Sequence, residues 1–224
     1  MKKTRQTIET QKTLRAQIVD SLKEAIATGQ LKPGEKISET RLSEDLGISR
    51  TPLREAIQTL EADGFLKVIP RKGAVVSDFS RKDIEDIYDI KAALEGLAAR
   101  LATENLTVSN IQKMENINGQ LRALTLKGES SAGRFFKLHN EFHDIFLQAG
   151  NNDRLYQLNC HLMDPFKRFR LSSLAIPGRF EESVRAHDEI IEAFKVKDAN
   201  EAEELVIENV LEGKRALINK VESK

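Results

Sequence analysis

Two short helical patterns that meet at a glycine constrain this chain more than any other feature. Residues 38–63 read "SETRLSEDLGISRTPLREAIQTLEAD", with Leu42, Leu46, Ile48, Leu53, Ile57 and Leu60 recurring at helical spacing on either side of Gly47. Ser38 predicts the N-cap of a helix through about Leu46. Ser49 predicts the N-cap of a second helix through about Asp63, stopped by Gly64. Ahead of them, Leu14, Ile18, Val19, Leu22 and Ile26 predict a helix over 12–28, closed by Gly29 and a turn in "LKPGEKI". Behind them the period changes. Phe65 to Ile69 and Ala74 to Ser77 are β-prone and flank Pro70-Arg71-Lys72-Gly73, as in a hairpin. Three helices followed by a hairpin, within one small domain, is the plan of a winged helix-turn-helix.

From Asp83 onward only helical patterns appear. Ile84, Ile87, Ile90 or Lys91, Leu94, Leu97 and Leu101 are predicted to line one face of the first helix. Further helices are predicted over 107–127, 132–149, 152–172, 178–197 and 199–220, separated by "LTVSN", "KGESSAG", "AGNND", "IPGRF" and "VKDAN". With only 5 prolines and 12 glycines in 224 residues, the composition favours helix throughout. The fold class expected is mainly α. A winged helix-turn-helix (three helices plus β-hairpin) occupies 1–78, and an all-α antiparallel helical bundle occupies 79–224.

The formal net charge of zero hides an asymmetry. Residues 1–78 carry 14 basic against 11 acidic side chains, a net of +3, and the remainder 21 against 24, a net of −3. The first part therefore leans mildly toward a polyanion. In a helix-turn-helix the second helix enters the major groove of DNA by its N-terminal residues. Those residues here are Ser49, Arg50, Thr51 and Arg54. Arg50 and Arg54 share a helical face, and arginine binds guanine O6 and N7 in bidentate fashion. Ser49, Thr51 and the backbone amides at the helix start suit phosphates, Pro52 suits the first turn, and Arg41 on the preceding helix suits a phosphate. Arg71, Lys72 and Gly73 form the wing tip. The plainer reading is a capped surface helix with solvated arginines. The complete helix-helix-helix-hairpin order and the basic wing favour DNA.

The second part holds all four histidines, at 139, 143, 161 and 187. His139 and His143, in "LHNEFHDIF", stand at i and i+4, a spacing that metal ligands use. On spacing alone an ordinary histidine pair without metal reads as well. Imidazole suits Zn, Cu, Fe and Ni. His161 reads as structural or surface, and Cys160 as a small core residue.

Two resemblances sharpen this reading. The stretch "LRAQIVDSLKEAIATGQLKPGEKISETRLSEDLGISRTPLREAIQTLEADGFLKVIPRKGAVV" resembles the DNA-binding domain of GntR-family bacterial transcription regulators. That resemblance implies DNA contacts by Arg41, Arg50, Thr51 and Arg54, with Gly73 and its neighbours in the minor groove. "IKAALEGLAARLA", "EFHDIFLQAGN" and "AHDEIIEAF" resemble the FCD effector domain of the FadR-type subgroup. It implies a metal at the base of a ligand pocket, held at the positions of His139, His143, His187 and Asn209. Here His139 stands where a carboxylate is usual and Asn209 where a histidine is usual, so both the charge and the donor set differ. The expected cofactor is a divalent transition metal, Zn or Ni. Lys91 stands where the family often has arginine; it either pairs with Glu95 or meets an anionic effector. Arg134, Arg168 and Arg170 are the other candidates to bind an effector carboxylate.

The function expected is a ligand-responsive DNA-binding regulator, by family habit a repressor released by a small organic acid. It is expected to act as a homodimer on a short inverted repeat in double-stranded DNA. A second reading keeps the regulator but gives it a metal-free pocket for an apolar or acyl ligand, lined by Phe135, Phe136, Phe142, Phe146, Phe166 and Phe169. A metal-dependent enzyme acting on a small acid is disfavoured, because no glycine-rich phosphate loop or nucleophile–base arrangement appears. One cysteine excludes an internal disulfide framework. The opening "MKKTRQTIETQK" lacks a signal-peptide core, and no uncharged apolar stretch approaches the roughly 18 residues a membrane span needs. A cytoplasmic location without membrane attachment is expected.

Overall fold

The computed structural model describes residues 13–69, 73–78, 80–126, 131–166 and 178–222. The chain divides into two compact units, Met1–Asp78 and Phe79–Lys224. The first holds α1 (Leu14–Ala27), β1 (Lys36–Ile37), α2 (Glu39–Leu46), α3 (Arg50–Ala62), β2 (Leu66–Ile69) and β3 (Gly73–Val76). The second holds α4 (Arg81–Ala102), α5 (Val108–Thr125), α6 (Ala132–Ala149), α7 (Asp153–Met163) with a 3₁₀ turn at Asp164–Phe166, α8 (Arg179–Lys195) and α9 (Ala199–Glu222).

Local chemistry sets the helix ends of the first unit. Thr13 Oγ1 accepts from the Ala16 amide at 3.3 Å, and Ser38 Oγ accepts from the Arg41 amide at 3.3 Å. Gly47 closes α2 in the left-handed conformation, φ 63°. Ser43 Oγ then donates to the Ile48 carbonyl at 2.6 Å and fixes the turn into α3. The core is formed by Ile18, Leu22 and Ile26 of α1 with Leu53, Ala56, Ile57 and Leu60 of α3. Burying a leucine such as Leu53 contributes about 1.5–3 kcal/mol. Leu42 and Ile48 pack against this core, but Leu46, which shares their helical spacing, is 48% exposed because α2 ends there.

The sheet is antiparallel in the order β1-β3-β2. β2 and β3 form the expected hairpin, with Val68 opposite Ala74. β1 lies in the stretch expected to be only a turn. Lys36 pairs with Val75 and Ile37 with Ala74. Two residues are too few to display an alternating pattern.

In the second unit α4 lies along α9, and α5 lies along α8. The ion pairs Arg100–Glu203 and Lys214–Asp89 show that α4 and α9 run antiparallel. Lys195–Glu115 and Arg122–Asp188 show the same of α5 and α8. Ser80 and Asp83 form a capping box that starts α4 at Arg81, two residues before the expected start. The buried face of α4 departs from the expected leucine stripe. It is Ile84, Tyr88, Lys91, Ala92, Glu95, Gly96, Ala98, Ala99 and Ala102, while Ile90 is 48% and Leu101 37% exposed. The cause is close helix approach. A Cβ on Gly96 would lie 2.6 Å from Ile207 Cγ1 of α9, so small residues face the partner helix and the leucines flank the contact.

Candidate functional site

The first unit gathers exposed polar groups at the start of α3. Ser49 occupies the N-cap in extended conformation, yet its side chain makes no cap hydrogen bond. The first-turn amides are thus left for an outside acceptor. Ser49, Arg50, Thr51 and Arg54 are all exposed, whereas Leu53 and Ala56 of the same helix are buried. Arg54 Nε donates to Glu39 Oε2 of α2 at 2.7 Å, which holds the guanidinium while its side chain stays 66% exposed. Arg41 on α2 is more open, 3.7 Å from Asp45. Gly73 begins β3. Arg71 and Lys72 lie outside the described residues.

The second unit gathers three imidazoles. His139 and His143 project from successive turns of α6, and His187 comes from α8. The ring centroids lie 4.5 Å apart for His139 and His143, 5.0 Å for His139 and His187, and 5.4 Å for His143 and His187. One nitrogen from each ring falls within 4.8 Å of the others. Apolar packing sets the rings. Phe142 stacks on His187 at 3.8 Å and an interplanar angle of 5°.

Hydrogen bonds fix two of the tautomers. Asn118 Nδ2 donates to the Val184 carbonyl at 3.1 Å and to Asp188 Oδ1 at 2.7 Å, so its Oδ1 faces His187 as an acceptor. His187 Nδ1–H therefore donates to it at 3.2 Å. The lone pair of His187 is left on Nε2, which is buried with no hydrogen-bond partner among the described residues. His143 Nδ1–H donates to Glu95 Oε2 at 2.9 Å, which likewise places its lone pair on Nε2. His139 Nδ1 lies 3.2 Å from Ser183 Oγ. A carboxylate behind His143, an amide behind His187 and a hydroxyl behind His139 are hydrogen-bonding partners of the kind that orient metal-binding histidines. Burial pushes His187 well below the usual histidine range, and a proton on neighbouring His143 would push it further, so it stays neutral, as a ligand must. The donor set fits a divalent transition metal, because three imidazoles, each deprotonated when it ligates, suit zinc or nickel.

Behind His143 lies a buried ion pair. Lys91 Nζ is 2.8 Å from Glu95 Oε2, and both side chains are almost wholly buried. Burial alone would raise the Glu95 carboxyl. Lys91 and His143 together outweigh it and hold the group well below the usual carboxylate range. Asn159 Nδ2 adds a donor to Glu95 Oε1 at 3.3 Å. Of the two roles open to Lys91, the geometry shows the pairing with Glu95.

Asn209 is buried on α9. Arg134 is exposed on α6. Arg168, Arg170 and Phe169 lie outside the described residues. Phe135, Phe142, Phe146 and Phe166 are packed core, and of the phenylalanines once expected to line a pocket Phe136 borders the cavity between α4, α6 and α7. His161 is exposed, and Cys160 is half-buried at that same cavity. Asn118 and Ser183, which orient His187 and His139, carry no sequence signal. Glu95 carried a partial one, four residues after Lys91.

Comparison with known proteins places both units. Residues 14–76 match the model described as "Bacterial regulatory proteins, gntR family", and residues 86–211 match the FCD domain. The chain is 31% identical over 191 residues to the HTH-type transcriptional regulator YdhC of Bacillus subtilis, covering 85% of each. It is 29% identical over 203 residues to a probable D-xylose utilization operon transcriptional repressor of Paenarthrobacter nicotinovorans, covering 90% of this chain and 87% of that one. Among solved structures, E. coli McbR/YncC superposes with a TM-score of 0.76 at 25% identity, covering 94% of this chain and all of the other.

The winged helix-turn-helix with its helical second domain thus defines a DNA-binding transcription regulator, not an enzyme. The chain belongs to the GntR family and carries an FCD domain. No helix among the described residues is long and apolar enough to cross a membrane.

Proposed function

We propose that the chain represses transcription in the cytoplasm as a homodimer on a short inverted repeat, and that a small organic acid bound beside a metal ion releases it. The observation that carries the effector half is the meeting of His139, His143 and His187, with tautomers set by Asn118 and Glu95. The buried Nε2 of His187 has no other use within the described residues. Those three residues would hold the metal, with Asn209 as a fourth position by family resemblance. The metal would supply a positive centre for a carboxylate oxygen. Lys91 is committed to Glu95, which leaves that centre as the favoured anchor for an acid.

For DNA, Arg50, Arg54 and Thr51 are read as base and phosphate contacts, with Ser49, Arg41 and the wing residues Arg71, Lys72 and Gly73 on the backbone. Two half-sites follow from the modest affinity of one winged helix. The exposed Ile90 and Leu101 of α4 offer apolar surface to a second copy. A ligand favouring one conformation shifts the population and with it DNA affinity.

Elemental analysis of untagged protein tests the metal centre. We expect near-stoichiometric zinc or nickel, and a melting temperature that falls on chelation in the parent but not in His187→Leu. Background metal, with zinc failing to raise the parent's melting temperature, would end this reading. An operator-linked reporter tests the direction of control: expression should be low with the protein and rise with the matching acid.

A further inference from the structure

A cavity of about 260 Å³ opens between α4, α6 and α7. Its walls carry the carboxylates of Glu95, Asp144 and Asp164 and, among the described residues, neither a lysine nor an arginine. The charge of Glu95 is answered by Lys91. That of Asp144 is not, among the described residues. Asp144 accepts from Tyr156 Oη at 2.8 Å and from Gln148 Nε2 at 2.6 Å, both neutral donors, and no lysine or arginine among the described residues pairs with it.

A second, independent feature lies in the same wall. Asn159 is only 5% exposed. Its Nδ2 donates to Glu95 Oε1, which fixes the amide, and its Oδ1 is left as a buried acceptor with no hydrogen-bond partner among the described residues. A buried acceptor without a donor is destabilising, and a ligand that brings one relieves it. A water molecule would bring a donor but no charge to answer Asp144. An organic acid would be repelled by the carboxylates. A protonated amine brings both charge and donors.

We infer that this cavity binds a small molecule through a primary ammonium group, its N–H donors shared by Asn159 Oδ1 and the Asp144 carboxylate, its carbon skeleton lying against Phe136, Leu147 and Met163. The site is distinct from the metal position and does not rest on it. The two meet at His143 and at Glu95, which both line the cavity and are hydrogen-bonded to each other.

The chain carries its own reporter. Cys160 is the one cysteine, lines this cavity and is half-buried. The experiment is iodoacetamide alkylation of the full-length protein followed by intact mass spectrometry. It compares 1,4-diaminobutane and n-butylamine with sodium butyrate, n-butanol and magnesium chloride at matched ionic strength. We expect the two amines to slow alkylation several-fold and the other three to leave it unchanged. Chelator-treated protein should show the same protection, which separates this site from the metal reading. Asp144→Asn keeps the shape and should abolish protection. Asp164→Asn should weaken it, and serves if the first variant folds poorly. Protection by butyrate, butanol or magnesium equal to that by the amines would overturn the inference, as would full protection in a folded Asp144→Asn.

Discussion

The two units solve opposite problems with polar side chains. At the start of α3, Ser49, Arg50, Thr51 and Arg54 stand in solvent, and the helix below them is held by Leu53, Ala56 and Leu60. In the helical bundle, Lys91, Glu95, His143, Asn118 and His187 are buried, and each depends on another for its charge or tautomer. An exposed group can be changed with little effect on folding. A buried network cannot, because removing one member strands the next. The exposed groups of the first unit are thus separable from its stability, while the polar network of the second is built into it.

The most severe way to break this contrast is Glu95→Ala. It leaves Lys91 buried without a counter-charge and should cost about 3–5 kcal/mol. Both tyrosines, Tyr88 and Tyr156, lie in the second unit, so urea unfolding followed by tyrosine fluorescence reads that unit alone. A loss below about 1 kcal/mol would place the network among surface ion pairs. Arg50→Ala should do the reverse. Operator discrimination should fall by about 1–3 kcal/mol while the unfolding midpoint stays within about 0.5 kcal/mol of the parent. Fluorescence anisotropy with operator and scrambled duplexes measures the first quantity.

Glu39→Gln sharpens the comparison within the first unit. It frees Arg54 Nε and removes a negative charge near the phosphates. Discrimination should drop less than in Arg50→Ala, and binding to scrambled DNA should rise slightly.

The smallest effect concerns Tyr156. Its hydrogen bond to Asp144, aided by partial burial, pushes the phenol up to about 12. The neutral phenol is favoured in the folded state. That contribution is therefore complete below the unfolded value near 10 and is lost as pH rises toward 12. Tyrosinate absorbance should appear at lower pH in Asp144→Asn than in the parent.

The first unit was legible because its signals are local. Ser38, Gly47 and Ser49 act on the few residues beside them, and they place α2 and α3 within about two residues of the expected bounds. β1 escaped because its pairing partners lie far along the chain, at Ala74 and Val75. The bundle's helices were legible, but the inner face of α4 was not. Periodicity weights leucine and isoleucine, whereas the close approach to Ile207 selects Gly96 and its small neighbours. The histidines could be singled out by type and spacing. Asn118, Ser183 and Asn159 could not, since an amide or hydroxyl acquires its role only when tertiary packing brings its partner near.

Retention of sheared genomic DNA by the purified protein, followed by sequencing, tests the central claim most directly. The account predicts a few enriched sites sharing a short inverted repeat, lost in Arg50→Ala and weakened by the acid that the helical unit binds. No enrichment over bulk DNA, with and without zinc and a metabolite extract, would contradict sequence-specific regulation by this chain.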